Sequence, residues 1–236
     1  MFLKSEKYYD ALYDALGKDY PKEVEKAHKI IQKYYRSGGV NLLDVACGTG
    51  THAGFLAKYY KVEGMDLDED MVTLARTKLP KIRFFQGDMI DFNLNRRFDA
   101  ITCLFSAIGY VKTNANLSKA IKAMTRHLRE GGVLLVEPWF SAEQWTVGSP
   151  RALHADTEEM KISRISLSGK RRKISILDFH YLVGTTDGVE YFTEHHELGL
   201  FSHQDYLNAF HKAGLEVFHD KKGLDGRGLY IGRKAK

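Results

Sequence analysis

The chain has 236 residues, 44% of them hydrophobic and 28% charged, the make-up of a globular protein of one large or two small domains. No apolar run approaches the ~20 residues of a membrane span, and the start, MFLKSEKYYD, lacks the apolar segment of a secretory signal. Two cysteines, Cys47 and Cys103, cannot build a disulfide framework or a four-cysteine zinc site. These counts exclude membrane, disulfide-rich secreted and zinc-ribbon classes and give the expectation of a cytoplasmic protein. The net charge of +5 would suit a nucleic-acid binder. The basic residues are spread along the chain, however. Their densest run, Lys170 to Lys173, follows Gly169 and reads as a solvated hairpin turn.

Taken in order, the first half alternates helix and strand. Lys22 to Tyr35 is an amphipathic helix with Val24, Ala27, Ile31 and Tyr34 on one face, Pro21 in its first turn and Gly38-Gly39 at its end. Leu42 to Ala46 is a short buried strand, and helical spacing resumes from His52 to Tyr59. Lys61 to Met65 is a second strand, Asp70 to Leu79 a helix stopped by Pro80, and Ile82 to Gln86 a third strand. Phe98 to Leu104 is a fourth strand, Leu117 to Leu128 a helix closed by Gly131-Gly132, and Val133 to Glu137 a fifth strand. This rhythm predicts an α/β fold, a parallel sheet with helices on both faces. The pattern then changes. Met160 to Leu167, Lys173 to Tyr181 and Val189 to Leu198 read as an antiparallel β-meander inserted into it. A helix at Gln204 to Ala213 follows, with Ser202 as N-cap and Asp205 as its capping-box partner. Leu215 to His219 and Leu229 to Gly232 are the last strands.

The most informative segment runs from Leu42 to Thr51, an apolar strand entering a glycine-rich turn and then a helix. Gly48 and Gly50 let the backbone turn sharply and approach a ligand. The third glycine of the dinucleotide fingerprint is absent, since position 53 is alanine, and so is the lysine of a P-loop. Asp44 precedes the turn, Asp66 follows the second strand, and Gly87-Asp88-Met89 follows the third. Each carboxylate alone could be a helix cap or a loop residue. Together they fall at the carboxyl ends of successive strands, where open α/β sheets bind ligands. Asp66 suits the two hydroxyls of a ribose, and Asp88 with Met89 suits an adenine ring. His195 and His196 are adjacent in a strand, so they face opposite ways and do not jointly chelate a metal. No zinc-ligand spacing is present, and no metal is expected.

DVACGTGTH (44 to 52), GMDLD (64 to 68), QGDM (86 to 89) and FDAITCLFS (98 to 106) resemble the class I S-adenosylmethionine-dependent methyltransferases. The resemblance implies a Rossmann-like sheet of seven strands whose last, Leu229 to Gly232, is antiparallel, with S-adenosyl-L-methionine as cofactor. It also implies a cofactor site that includes Ala46, Gly48, Gly50, Asp66, Leu67, Asp88, Met89 and Phe105. Further segments resemble the dTDP-aminosugar N,N-dimethyltransferases of the desosamine and mycaminose type. These are Tyr9-Asp10-x-x-Tyr13 with Gly17-Lys18-Asp19-Tyr20, FSAIGYVKT (105 to 113), VEPWF (136 to 140), LFSHQDYLNAF (200 to 210) and GRGLYIG (226 to 232). The likeness spans essentially the whole chain. It implies a single domain: an N-terminal helical cover (1–38), a cofactor-binding core (39–140), the antiparallel insertion (150–200) and a final helix with strands (201–236). Two departures fall near the acceptor side. Phe140 stands where the family has a second tryptophan, and Leu224-Asp225 replaces small residues before Gly226.

Methyl transfer from a sulfonium is an in-line displacement, so the protein positions the reactants and excludes water. An amine acceptor attacks in its neutral form, and Tyr110 is the candidate to take its proton; an aromatic lid over the cofactor is the other reading of that residue. Arg227, between two glycines, suits the diphosphate of a nucleotide sugar. Trp139 could stack on the acceptor or wall the pocket. Ser166 and His180, on the meander, could face the nucleotide. Tyr13 and Tyr20 belong to the N-terminal cover. The expected function is N-methylation of a nucleotide-linked aminosugar. The alternatives are another small-molecule N- or O-methyltransferase, an RNA methyltransferase, and a non-catalytic S-adenosylmethionine-binding protein. The meander offers a homodimer surface, since an exposed sheet seeks a partner. Neither a membrane nor a nucleic acid is expected as partner.

Overall fold

The computed structural model describes residues 4–236. A sheet of seven strands forms the centre, in the order β10-β11-β5-β4-β1-β2-β3. β1 (Asn41–Val45) lies between β2 (Lys61–Asp66) and β4 (Phe98–Cys103), parallel to both. β3 (Arg83–Gln86) extends the sheet beyond β2, and β5 (Leu128–Val136) extends it beyond β4. β11 (Leu229–Lys234) runs antiparallel to both β5 and β10 (Leu215–Asp220), so it alone is reversed. The apolar runs of β1 and β4 are buried because helices cover both faces, as a parallel sheet requires. One apolar core gathers around Leu43, Ile101, Met124 and Phe210. The other, on the opposite face, gathers around Ala27, Ile31, Leu42 and Ile231.

Among the described residues, four helices start where a side chain satisfies a free amide. Asp19 accepts from Lys22 N at 3.0 Å at the start of α2 (Tyr20–Tyr34). Asp68 caps α4 (Glu69–Lys78), which follows α3 (Thr51–Leu56). Thr113 caps α5 (Asn114–Arg126), so this helix begins one turn before Leu117. Ser202 and Asp205 close a full capping box on α6 (His203–Lys212). Two expected helix ends are corrected. α2 stops at Tyr34, because Tyr35 is extended and Arg36 N bonds to Gly131 O at 2.6 Å. Gly131 and Gly132 therefore lie inside β5 rather than closing α5; Gly131 is left-handed (φ 73°), beside a shift in the pairing of β4 with β5.

The insertion between β5 and α6 is a four-stranded antiparallel sheet, not a three-stranded one: β6 (Pro150–Asp156), β7 (Met160–Arg171), β8 (Ile174–Thr185) and β9 (Gly188–Gly199). β6 is an edge strand that opens on a proline and buries only Leu153 and Ala155, so its sequence carries little apolar alternation. α1 (Tyr9–Ala15), preceded by a 3₁₀ turn at Glu6–Tyr8, packs Tyr8 and Leu12 against Ile162, Tyr181, Val183 and Phe192 of this sheet. The N-terminal segment thus bridges the insertion and the core.

Candidate active site

A cavity of about 670 Å³ opens at the carboxyl ends of the parallel strands, roofed by α1 and walled by the inserted sheet. The turn after β1 supplies Ala46, Gly48 and Thr49; the ends of β2 and β3 supply Asp66, Leu67, Asp88 and Met89. Leu104 and Phe105 follow β4, and Trp139 and Phe140 follow β5. Three non-glycine residues at these ends are left-handed: Ala46 (φ 56°), Phe105 (φ 51°) and Ser106 (φ 60°). Such conformations are uncommon and concentrate at functional sites.

The glycine loop is held from below and above. Gly48 N donates to Asp66 Oδ2 at 2.7 Å, and Asp68 N donates to Asp66 Oδ1 at 3.0 Å. A side chain at Gly48 would meet nothing within 4 Å, so that position faces open cavity. Gly50, left-handed at φ 79°, is the N-cap of α3 and has Phe84 where a Cβ would be, 2.9 Å away. It shapes the loop from behind and does not line the cavity. From α1, Asp10 accepts from Thr49 Oγ1 at 2.7 Å and Thr51 Oγ1 at 3.0 Å, and pairs with Lys78 at 2.6 Å. The cover is thereby latched onto the loop. Burial pushes the Asp66 carboxyl above the ordinary carboxylate range and lifts Asp44, which accepts from Thr102 at 2.7 Å, to about 6. Asp88 accepts from Ile90 N at 2.9 Å and stands beside Met89.

The aromatic roof is built from Tyr13, whose ring meets Phe105 edge-on at 4.8 Å, and Tyr20, whose ring lies 4.9 Å from His52. The Tyr20 hydroxyl is buried without a hydrogen-bond partner. Behind them Glu23 accepts from Lys18 at 2.7 Å and contacts His52 Nε2 at 2.8 Å. These partners hold its carboxyl below the ordinary range in spite of burial.

The far half of the cavity is the inner face of the inserted sheet. Side chains alternate along β7, so Arg164, Ser166 and Ser168 look into the cavity, opposite Leu177 and Phe179 of β8. Arg164 lies over Phe179 at 4.5 Å and leaves its buried Nε without an acceptor. His180 is a correction. It neighbours Phe179 and so faces the outer side, where it bonds to Tyr191 Oη at 2.6 Å. Trp139 donates to Ser175 Oγ at 2.9 Å and packs with Phe140 and Trp145 as a wall. Tyr110 reaches His196 Nδ1 at 2.9 Å, and His196 Nε2 stands 3.2 Å from Glu194 Oε2. Arg227 donates to Ser106 Oγ at 2.7 Å and pairs with Asp225 at 2.7 Å. The Asp225 carboxylate also bears on Glu137, which accepts from Phe105 N at 2.5 Å and whose Oε1 is buried without a hydrogen-bond partner. Burial, then the Asp225 carboxylate, lifts Glu137 to about 8. Sequence reasoning passed over Arg151, Arg164, Glu137, Glu194 and His196. An available signal was the polar stripe Arg164-x-Ser166-x-Ser168 on one face of a strand.

The residues suit an adenosine-bearing sulfonium: a glycine loop with an open face, a buried carboxylate for the ribose and an apolar slot at Met89. The arrangement defines a nucleoside-binding transferase of the Rossmann type. A methyltransferase-domain family model matches residues 42–132. A dTDP-3-amino-3,6-dideoxy-α-D-glucopyranose N,N-dimethyltransferase from Streptomyces fradiae is 37% identical over 226 residues, covering 95% of this chain and 88% of its own. The crystal structure of DesVI from Streptomyces venezuelae superposes with a TM-score of 0.93 at 36% identity, over 100% of both chains. A structure of an S-adenosylmethionine-bound amino pentose methyltransferase from Micromonospora echinaspora superposes at 0.87 with 34% identity, over 100% of this chain and 98% of its own. The chain belongs to the class I S-adenosylmethionine-dependent methyltransferases and is closely related to the dTDP-aminosugar N,N-dimethyltransferases. S-adenosylmethionine is its cofactor.

Proposed function

We propose that the protein methylates the amino group of a nucleotide-linked aminosugar. The observation that carries this reading is the continuity of the cavity. One half is a nucleoside site; the other presents Arg151, Arg164 and Arg227 with Ser166 and Ser168 beside aromatic walls. Guanidinium forks and hydroxyls recognise a diphosphate, and aromatic faces pack on sugar and base rings. Bound S-adenosylmethionine supplies an electrophilic methyl group. Asp66 and Asp88 with Met89 hold its adenosine, and Ala46, Gly48, Leu67 and Phe105 line its bed. Tyr13 and Tyr20 close over it and keep water out. Trp139 and Ser166 face the acceptor, and Tyr110 stands where an acceptor proton can be received.

The acceptors of the related enzymes favour a dTDP-linked sugar. Incubation with S-adenosylmethionine and dTDP-3-amino-3,6-dideoxyglucose, followed by mass spectrometry, is expected to give singly and doubly methylated sugar. Phe140 and Asp225 border the acceptor half and favour, as second reading, another small amine; cofactor binding without that product would select it. No described helix is long and apolar enough to cross a membrane, and both cysteines are unpaired and buried, which supports a cytoplasmic setting. The outer face of the inserted sheet exposes Ile165, Leu167, Leu182, Val189 and Tyr191, the last two 73% and 61% exposed. It supports a homodimer, and a monomer mass on gel filtration would refute that.

A further inference from the structure

We propose that Tyr110, His196 and Glu194 form a proton relay in which the Tyr110 hydroxyl passes the acceptor's proton to His196. This rests on the amine-methylation reading above. The Tyr110 hydroxyl lies 2.9 Å from His196 Nδ1, and His196 Nε2 lies 3.2 Å from Glu194 Oε2. Glu194 and His196 are two apart on β9, so both turn to the inner side of the inserted sheet, and both are buried, 2% and 1% exposed. Glu194 is itself fixed by Ser5, whose amide and hydroxyl donate to it at 3.1 and 2.8 Å. The relay therefore runs from the cavity wall to the N-terminal cover.

The chemistry follows from what each group can hold. Burial raises the Tyr110 hydroxyl well above its ordinary value, so a phenolate is not the base. Burial lowers His196, overcoming the Glu194 hydrogen bond, so the imidazole is neutral. With its proton on Nε2, directed at Glu194, the Nδ1 lone pair accepts from Tyr110. Tyr110 Oη takes a proton from the bound ammonium while its own proton moves to Nδ1. The amine nitrogen is left with its lone pair and forms the bond to the methyl carbon as the sulfur–methyl bond breaks with its electron pair going to sulfur. The proton rests on an imidazolium beside the Glu194 carboxylate and leaves to water when the site opens. Among the described residues, the other titratable groups nearby are Arg164 on β7, which favours neutral His196, and Tyr181 on β8, Tyr9 and Tyr13 on α1 and Asp66 at the end of β2, which bear on Tyr110.

The test compares kcat/KM for the amino acceptor in the whole protein with His196→Asn and Tyr110→Phe, from about pH 6 to about pH 9. Without the relay, only acceptor already neutral in solution reacts. Both variants should fall about 100-fold near neutral pH, and the deficit should shrink about tenfold per pH unit as the free amine grows. The dissociation constant for S-adenosylmethionine, measured alongside, should stay unchanged. If His196→Asn does not fold, Glu194→Gln takes its place and should show a smaller deficit with the same pH trend. Product formation with a deficit constant across pH, or with no deficit, overturns the relay alone. A wild-type protein that binds cofactor and methylates no amine overturns the acceptor reading and the relay with it.

Discussion

The two halves of the cavity are built by different rules. The cofactor half comes from the ends of adjacent parallel strands, and each contribution is a short contiguous segment: Ala46 to Thr49, Asp66 to Asp68, Gly87 to Met89. The acceptor half comes from an antiparallel sheet, and its residues arrive singly, at every second position: Arg164, Ser166 and Ser168, and opposite them Leu177 and Phe179. Backbone amides and fixed carboxylates dominate the first; long side chains dominate the second. A site made of backbone suits one invariant cofactor. A site made of side chains on a sheet surface can be retuned one residue at a time for different acceptors.

Mutations can break that division. Asp66→Ala should have the largest effect. Charge-assisted hydrogen bonds contribute about 1.5–3 kcal/mol each, and losing two ribose contacts should weaken S-adenosylmethionine binding at least about 100-fold by calorimetry. Arg164→Met should leave that binding unchanged and raise the acceptor KM about tenfold, the loss of one fork to a phosphate. An equal loss of cofactor affinity would mean that the halves are not separate. Asp225→Ser should lower the acceptor KM about threefold, because Arg227 is released from its 2.7 Å ion pair and left facing the ligand.

The smallest expected effect is on stability. Native Glu137 keeps its proton up to about 8, whereas the unfolded chain releases it near the ordinary value of about 4.3. Its folded value is raised, so the native state binds more protons across that window. The contribution to stability is complete below the unfolded value and is lost as pH rises through about 8. Thermal melts should therefore show this contribution shrinking between those limits. Glu137→Gln, which can still accept from Phe105 N, should flatten the slope; an unchanged slope would assign the proton elsewhere.

The parallel core and the cofactor half were legible because their signals are local. An apolar strand entering Cys47-Gly48-Thr49-Gly50 requires a tight turn, and a carboxylate after each of the next two strands can only emerge at the same sheet edge. Helix ends were less so: Gly131-Gly132 reads as a helix stop, but pairing with β4 and the bond to Arg36 absorb it into β5. β6 was missed because an edge strand buries few side chains and leaves little pattern to find.

The sequence by itself determined the α/β order and, through its family resemblance, the reversed last strand and the identity of the cofactor. Tertiary structure alone decided which face of each inserted strand turns inward. Alternation is symmetric, so the pattern around His180 or His196 is compatible with either side. Docking of Tyr8 and Leu12 on one face breaks the symmetry. It sends His196, Glu194 and Arg164 into the cavity region and leaves His180 outside against Tyr191. The cluster of Tyr110, His196 and Glu194 is a property of that packing, because Tyr110 and His196 lie 86 residues apart and meet only when the sheet closes over the core.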